Sequence, residues 1–324
     1  MAMWRSIDEV DRDYGPSVVV IGNFDGVHRG HRVVIDRART RARQHPLPLP
    51  VVAVTFDPHP MQVLAPGRAP VRLTDIEQRG ILLQAAGVDD VLVLAFDQQL
   101  AGWSPAEFIQ RVLVDTLAAR AVVVGDSFRF GALAAGTTQT LAELGDRHGF
   151  QVDVLALAGA TGPWSSSRVR ESLAVGDVAA AADILGRRYA VRGVVVEGDH
   201  RGRQLGFPTA NVPTSGLTAV PADGVYAGRL RRLDDREATA LPAAISVGTN
   251  PTFSGVERRV EAHVLDRDDL ELYGVPIEVT FAERLRGQER YDDVAALVRQ
   301  MHADVDEVRV VLGGSGPSQP PDRR

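Results

Sequence analysis

Two histidines three residues apart, His28 and His31, follow a loop rich in glycine, Gly22-Asn23-Phe24-Asp25-Gly26-Val27. A β-branched run over residues 17–21 precedes that loop, and a helical pattern carried by Val33, Val34 and Ala38 begins directly after it. This order predicts a strand, a loop and a helix, with both imidazoles at the helix amino terminus, where free backbone N–H groups and the helix dipole favour phosphate. At i and i+3 the two rings share a face and can both donate hydrogen bonds to phosphate oxygens, with Gly30 leaving room for the phosphate.

A second segment, residues 198–211, is dense in Gly and Arg and ends in Pro208-Thr209-Ala210-Asn211. Flexible backbone carrying arginines suits a lid over a polyphosphate. Thr209 and Asn211, two apart on an extended chain, point the same way. Further on, residues 259–265 alternate, with Val260, Ala262 and Val264 on one face and Glu261, His263 and Leu265 on the other. Either face could be the inner one.

The elements needed to hold these residues differ between the two halves. Strand patterns over 17–21, 51–55, 91–94, 121–124 and 152–155 alternate with helical stretches that open on capping signals, Thr74-Asp75 with Glu77, Ser104-Pro105 with Glu107, and 137–145. Such alternation predicts a parallel sheet with helices on both faces and ligands beyond the carboxyl ends of its strands. From about residue 186, strand patterns over 189–197, 224–231, 243–247, 259–265 and 277–281 follow one another without long helices. They predict a small antiparallel β-barrel closed by one amphipathic helix from 291 to about 311. The boundary is expected within 176–188, giving domains 1–185 and 186–312 and a disordered tail 313–324.

The first segment resembles the His-x-Gly-His motif of the nucleotidylyltransferase superfamily, and Gly22-Asn23-Phe24-Asp25-Gly26-Val27-His28 is similar to its FAD synthetase branch. Trp164-Ser165-Ser166-Ser167-Arg168-Val169-Arg170 resembles the superfamily's Ile-Ser-Ser-Thr-x-x-Arg loop, with Trp164 and Ser167 departing from it. The resemblance implies a Rossmann-like α/β domain in which Gly22, Asn23, Phe24, His28, Gly30, His31, Ser165, Ser166 and Arg170 bind ATP. It also implies that Phe56, Asp57, Pro58, His59 and Pro60 form a flavin pocket. The implied reaction joins FMN to ATP to give FAD and pyrophosphate. The FMN phosphate is already anionic near neutral pH and needs no base, so His28 and His31 would act as electrostatic catalysts.

The string from Gly198 to Asn211 resembles the riboflavin kinase signature, with its Pro-Thr-Ala-Asn core, and Glu261-Ala262-His263 resembles that family's Glu-x-His. The implied reaction is ATP-dependent phosphorylation of riboflavin to FMN. By the same resemblance Gly198, Arg201, Gly202, Gly206, Pro208, Thr209 and Asn211 bind ATP, Thr209 and Asn211 hold Mg²⁺, and Glu261 is the catalytic base that an alcohol acceptor requires. Together the motifs resemble the bacterial bifunctional riboflavin kinase/FAD synthetase family over residues 15–312. The competing reading is a nucleotidylyltransferase whose barrel only binds flavin or regulates.

Composition fits this picture. The chain has 324 residues, 44% hydrophobic, with a formal charge of −6 and no cysteine. Scattered basic residues leave no footprint for nucleic acid, and no thiolate chemistry or disulfide is available. The amino terminus, with Arg5, Asp8 and Glu9, offers no apolar stretch for a signal peptide or membrane span. The expected setting is the cytoplasm and the expected partners are small molecules; a homo-oligomer is compatible with the sequence.

Overall fold

The computed structural model describes residues 2–156, 162, 164–198, 205–214, 216–235, 237–252 and 255–313. Two compact units divide the chain, Met1–Ser166 and Ser167–Arg324.

The first unit runs β1 (Met3–Trp4), β2 (Ser17–Ile21), α1 (Arg29–Gln44), β3 (Val51–Asp57), α2 (Pro60–Leu64), α3 (Ile76–Ala85) and β4 (Asp90–Ala95). After these come α4 (Gln98–Ala101), α5 (Pro105–Phe108), a π-helical stretch Ile109–Thr116, β5 (Ala119–Gly125), α6 (Thr138–His148) and β6 (Gln151–Leu155). The strands form one parallel sheet in the order β1-β4-β3-β2-β5-β6. Both faces are covered, so the strands read as unbroken β-branched runs. Along β2, Val19 and Ile21 enter one core with Phe108 and Val112, while Val18 and Val20 enter the other with Ile35 and Ala38 of α1. The strand order turns back at β2, which lies between β3 and β5, and this opens a crevice at its carboxyl end. The loop carrying the two histidines starts there.

One charge cluster fixes α1 to β6. Asp153, its side chain 11% exposed, accepts from Arg41 through two bonds of 2.7 Å and from Arg37 at 2.6 Å. These bonds, Arg41 foremost, hold its carboxyl below the usual range against the opposing effect of burial. A carboxyl depressed in the fold stabilises it above the unfolded value and loses that contribution as pH falls through the folded value. Asp153→Asn is therefore expected to cost about 1–3 kcal/mol near neutral pH, in the range of a lost charged hydrogen bond. Urea denaturation should show the gap from wild type closing as pH falls below the carboxylate range.

The second unit holds α7 (Ser166–Ala174, whose first residue falls in the first unit), α8 (Val178–Leu185), β7 (Ala190–Val194), β8 (Ala210–Pro213) and β9 (Gly224–Arg232). Then follow β10 (Leu241–Thr252), β11 (Gly255–Val264), β12 (Pro276–Arg286) and α9 (Val294–Val311). The sheet is antiparallel in the order β7-β12-β9-β10-β11-β8. A bridge in which the Val196 N–H donates to the Asn211 carbonyl at 2.9 Å brings its two edges together. Val260, Ala262 and Val264 are 0–4% exposed, which settles the alternation of β11: this face is the interior, and Glu261 and His263 lie outside it. On that outer side α9 packs Val305 and Val308 against Phe207 and Leu265.

Three boundaries differ from the sequence expectation. Ala210–Pro213, absent from the strand patterns read in the sequence, is a strand because it pairs with β11. The strand β10 outruns 243–247 at both ends, since its pairing partners continue past Pro242 and Gly248. The last helix begins at Val294, where Asp293 caps it by accepting from the Ala296 N–H at 2.7 Å. Residues 314–324, expected as a tail, lie outside the described residues.

Candidate active sites

In the first unit, α1 starts at Arg29, and His28 is its N-cap with extended backbone. The His28 Nδ1 accepts from the His31 N–H at 3.3 Å, so in the neutral ring Nε2 carries the proton and can donate. The two rings stack at 3.6 Å and 20°, and Phe24 meets His31 edge-on at 5.1 Å. Phe24, read from the sequence as a nucleotide contact, is 1% exposed and belongs to the core, where it braces His31. At Gly30 a Cβ would stand 3.1 Å from the His28 ring and 3.2 Å from the Trp164 carbonyl oxygen. The bare backbone there makes room for the His28 ring itself.

The loop between β2 and α1 is strained, with Phe24 at φ 48° and Val27 at φ 40°. Such conformations persist only where surroundings over-determine them. Asp25 does much of that: its carboxylate, 1% exposed, accepts from Leu73 N–H, Thr74 N–H and the Thr74 hydroxyl at 3.0–3.2 Å. The Thr74 hydroxyl accepts in turn from Gly26 N–H at 3.2 Å, and the Asp25 carbonyl accepts from the Ser166 hydroxyl at 2.8 Å. Ser166 therefore spends its hydroxyl on tying the Ser-Ser-Ser-Arg loop to the histidine loop. Ser165 and Arg170 are half-buried, Arg170 within α7.

The flavin-pocket candidates follow β3 beside that loop. Phe56 meets Phe96 edge-on at 5.7 Å. His59 caps α2, its Nδ1 accepting from the Met61 N–H at 3.2 Å, and its Nε2 lies 3.2 Å from the Asn23 side-chain amide. Asn23 thus links the two loops. The Asp57–Pro58 peptide is cis, Pro60 opens α2, and Pro58 is exposed.

In the second unit the register brings the candidates together. Glu261 stands directly opposite Asn211 on β8 and opposite Ser246 on β10, a placement that sets opposed Cβ atoms about 4.5–5.5 Å apart. Asn211 is 6% exposed, and its amide nitrogen donates to the Thr209 carbonyl at 3.4 Å, so that bond does not engage Oδ1. A Cβ at Gly198 would stand 2.4 Å from that amide, so only glycine lets the strand pass it. Gly206 has φ 86° and turns the chain into Phe207-Pro208. Arg201 and Gly202 lie outside the described residues.

His263 holds this segment in place: its Nδ1 donates to the Pro208 carbonyl at 2.9 Å, with Phe207 edge-on at 5.1 Å. Burial lowers its basicity, against the pull of the Pro208 carbonyl and of Asp266. The fold therefore favours the neutral ring, and its contribution is complete above the ordinary value of 6.5 and is lost as pH falls below it. The thermal transition of the chain is expected to fall as pH drops from 7 to about 5.5, and His263→Asn to flatten that slope.

A cavity of about 420 Å³ opens beside Glu261, lined also by Asp223, Ser246, Arg259, Gln288 and Arg290. Its size admits one small molecule. Gln288 ties the loop after β12 to β10, donating to the Ser246 hydroxyl and the Val247 carbonyl at 3.0 Å each. The base of that loop is clamped by Arg286, which donates twice to the buried Asp304 of α9 at 2.8 and 2.7 Å. Gln288 carried no sequence signal of its own, because its partners lie more than 40 residues away along the chain. Among the described residues no group of three or more His, Cys, Asp or Glu could hold a metal ion.

The FAD synthetase family model matches residues 11–168 and the riboflavin kinase family model residues 185–312. The chain is 36% identical over 302 residues to the bifunctional riboflavin kinase/FMN adenylyltransferase of Escherichia coli (strain K12), covering 93% of this chain and 94% of that one. To the protein of the same description from Pseudomonas fluorescens it is 36% identical over 317 residues, 97% and 99% of the two chains. A solved structure described as a macrolide-efflux protein from Streptococcus pneumoniae matches with a TM-score of 0.84 at 31% identity, over 95% of this chain and 98% of that one. Among the described residues no helix is long and apolar enough to cross a membrane. The reading in which the barrel is catalytically idle is not favoured, since the second match is to a kinase family over the whole barrel. With both halves matched in order and relatives aligned nearly end to end, the chain belongs to the bifunctional riboflavin kinase/FMN adenylyltransferase family.

Proposed function

We propose that riboflavin is phosphorylated at the β8–β11 pair of the second unit and that the resulting FMN is adenylylated at the histidine loop of the first. In domain terms, residues 1–185 carry the adenylyltransferase and 186–312 the kinase. The observation that carries the reading is the pairing of Glu261 with Asn211 across β11 and β8. It puts a carboxylate beside a neutral oxygen donor, with a cavity for a small molecule alongside.

At the second site the ribityl alcohol of riboflavin stays protonated at neutral pH. Glu261 takes its proton as the alcohol oxygen attacks the γ-phosphorus of ATP and ADP leaves. Gly198, Arg201, Gly202, Gly206 and Pro208 are assigned to ATP by the signature they belong to. The neutral oxygens of Thr209 and Asn211 fit a hard cation such as Mg²⁺, whose other positions phosphates and water would fill. When bound, Mg²⁺ offsets the negative charge of the ATP phosphates.

At the first site an oxygen of the FMN phosphate attacks the α-phosphorus of ATP and pyrophosphate leaves. His28, with its Nε2–H, and His31 stabilise the charge developing on the α-phosphate. Gly22, Asn23 and Gly30 shape the loop around them, and Ser165, Ser166 and Arg170 are assigned to the leaving phosphates on motif resemblance. Phe56, Asp57, Pro58, His59 and Pro60 are assigned to FMN on the same ground. Dependence on ATP suits the cytoplasm, and no partner beyond these small molecules is needed.

Chromatography of the flavins made from riboflavin, ATP and Mg²⁺ tests the scheme. FAD is the expected end product; accumulation of FMN alone would remove the assignment of the first site.

A further inference from the structure

One buried charge in the first unit is not accounted for by either reaction. Arg79 of α3 is 2% exposed. Its Nη1 donates to the Thr55 hydroxyl at 3.2 Å and to the Phe56 carbonyl at 3.0 Å, and its Nε has no hydrogen-bond partner among the described residues. Burial works against the charged guanidinium, and the carboxylates of Asp25 and Asp57 offset that, with Arg72 repelling. Burying a charge costs several kcal/mol even after relaxation, and an apolar side chain would fill an α3 core position without that cost. The contacts show what the arginine does that an apolar residue could not.

The Phe56 carbonyl begins the candidate flavin loop. Thr55, itself fully buried, passes its own proton on to the Asn23 carbonyl at 3.1 Å, in the loop that leads to His28. A single guanidinium therefore fixes the end of β3 directly and the histidine loop through one hydroxyl. Of its three attractive neighbours, Asp25, Asp57 and Asp75, the first lies in the histidine loop and the second at the end of β3. We propose that Arg79 is a positioning residue for adenylyl transfer, setting the distance between the loop that holds ATP and the loop that holds FMN. The inference rests on the reading of the first site given above. In-line attack demands that spacing closely, since a shift on the order of 1 Å can cost about a hundredfold in rate.

The test is steady-state kinetics of FAD formation from supplied FMN and ATP by the wild type, Arg79→Lys, Arg79→Met and Thr55→Val. FMN formation from riboflavin by the same preparations reports on the second unit. Arg79→Met is expected to raise KM for FMN by about tenfold or more and to lower kcat, with riboflavin phosphorylation unchanged. Arg79→Lys keeps the charge without the planar fork and should fall between it and the wild type. Thr55→Val, close in shape, cuts only the link to Asn23 and keeps the test alive if Arg79→Met does not fold. Unchanged KM values in the folded variants, with activity lost only in proportion to the folded fraction seen in thermal melts, would make Arg79 scaffold and overturn the proposal. A wild type that turns no supplied FMN into FAD would instead remove the first-site reading itself.

Discussion

Glu261→Gln is expected to slow FMN formation from riboflavin by about a hundred- to ten-thousand-fold, the span associated with loss of a general base. The amide has the same shape, so the cavity beside β11 and the pairing with Asn211 should survive. What it lacks is a site of adequate basicity for the ribityl proton. Riboflavin binding should change little, and FAD formation from supplied FMN should continue at the wild-type rate. A variant that still phosphorylates riboflavin normally would show that Glu261 is not the base and that the outer face of β11 is not where the alcohol is activated.

The second large effect is expected at the other site. His28→Ala should lower FAD formation by about a hundred- to a thousandfold, as when one pre-placed donor to a developing oxyanion is removed. The loss is larger than that of a surface donor for a structural reason. His28 is 3% exposed, caps α1 through Nδ1 and stacks on His31, so its removal also takes away one packing face of the partner ring. Chromatography should then show riboflavin converted to FMN and stopping there. If His28→Ala makes FAD at the wild-type rate, the electrostatic role falls.

Much of this was legible in the sequence because it was written in local pattern. The run 17–21, the glycine-rich loop and the helix after it were readable as a strand, a phosphate loop and a helix, and the structure has β2, the loop and α1 there. The antiparallel texture after residue 186 was readable for the same reason. Other features were hidden because they exist only in three dimensions. The alternation along β11 could not say which face was inside; that depends on what the other strands bring, and here Val260, Ala262 and Val264 pack inward. Ala210–Pro213 showed no strand pattern of its own and is a strand because β11 pairs with it. Thr74-Asp75 was visible as a helix start, yet Thr74 also serves Asp25 across 49 residues of chain. Arg79 falls in a helix and carried no sign that its guanidinium is buried.

The bridge between Val196 and Asn211 joins the two ends of a ring of six strands, and it does so at a strand only four residues long. Ring closure and the kinase site proposed above therefore share one residue, and a ligand gripping the Asn211 side chain there would also staple the ring. Ligand held at a hundredfold excess over its Kd adds about 2.7 kcal/mol to the fold that binds it. Without the ATP and Mg²⁺ assigned to Asn211, that reinforcement is lost and the seam is left to its own hydrogen bonds. The nucleotide would then set how firmly the ring is closed as well as whether the site can turn over.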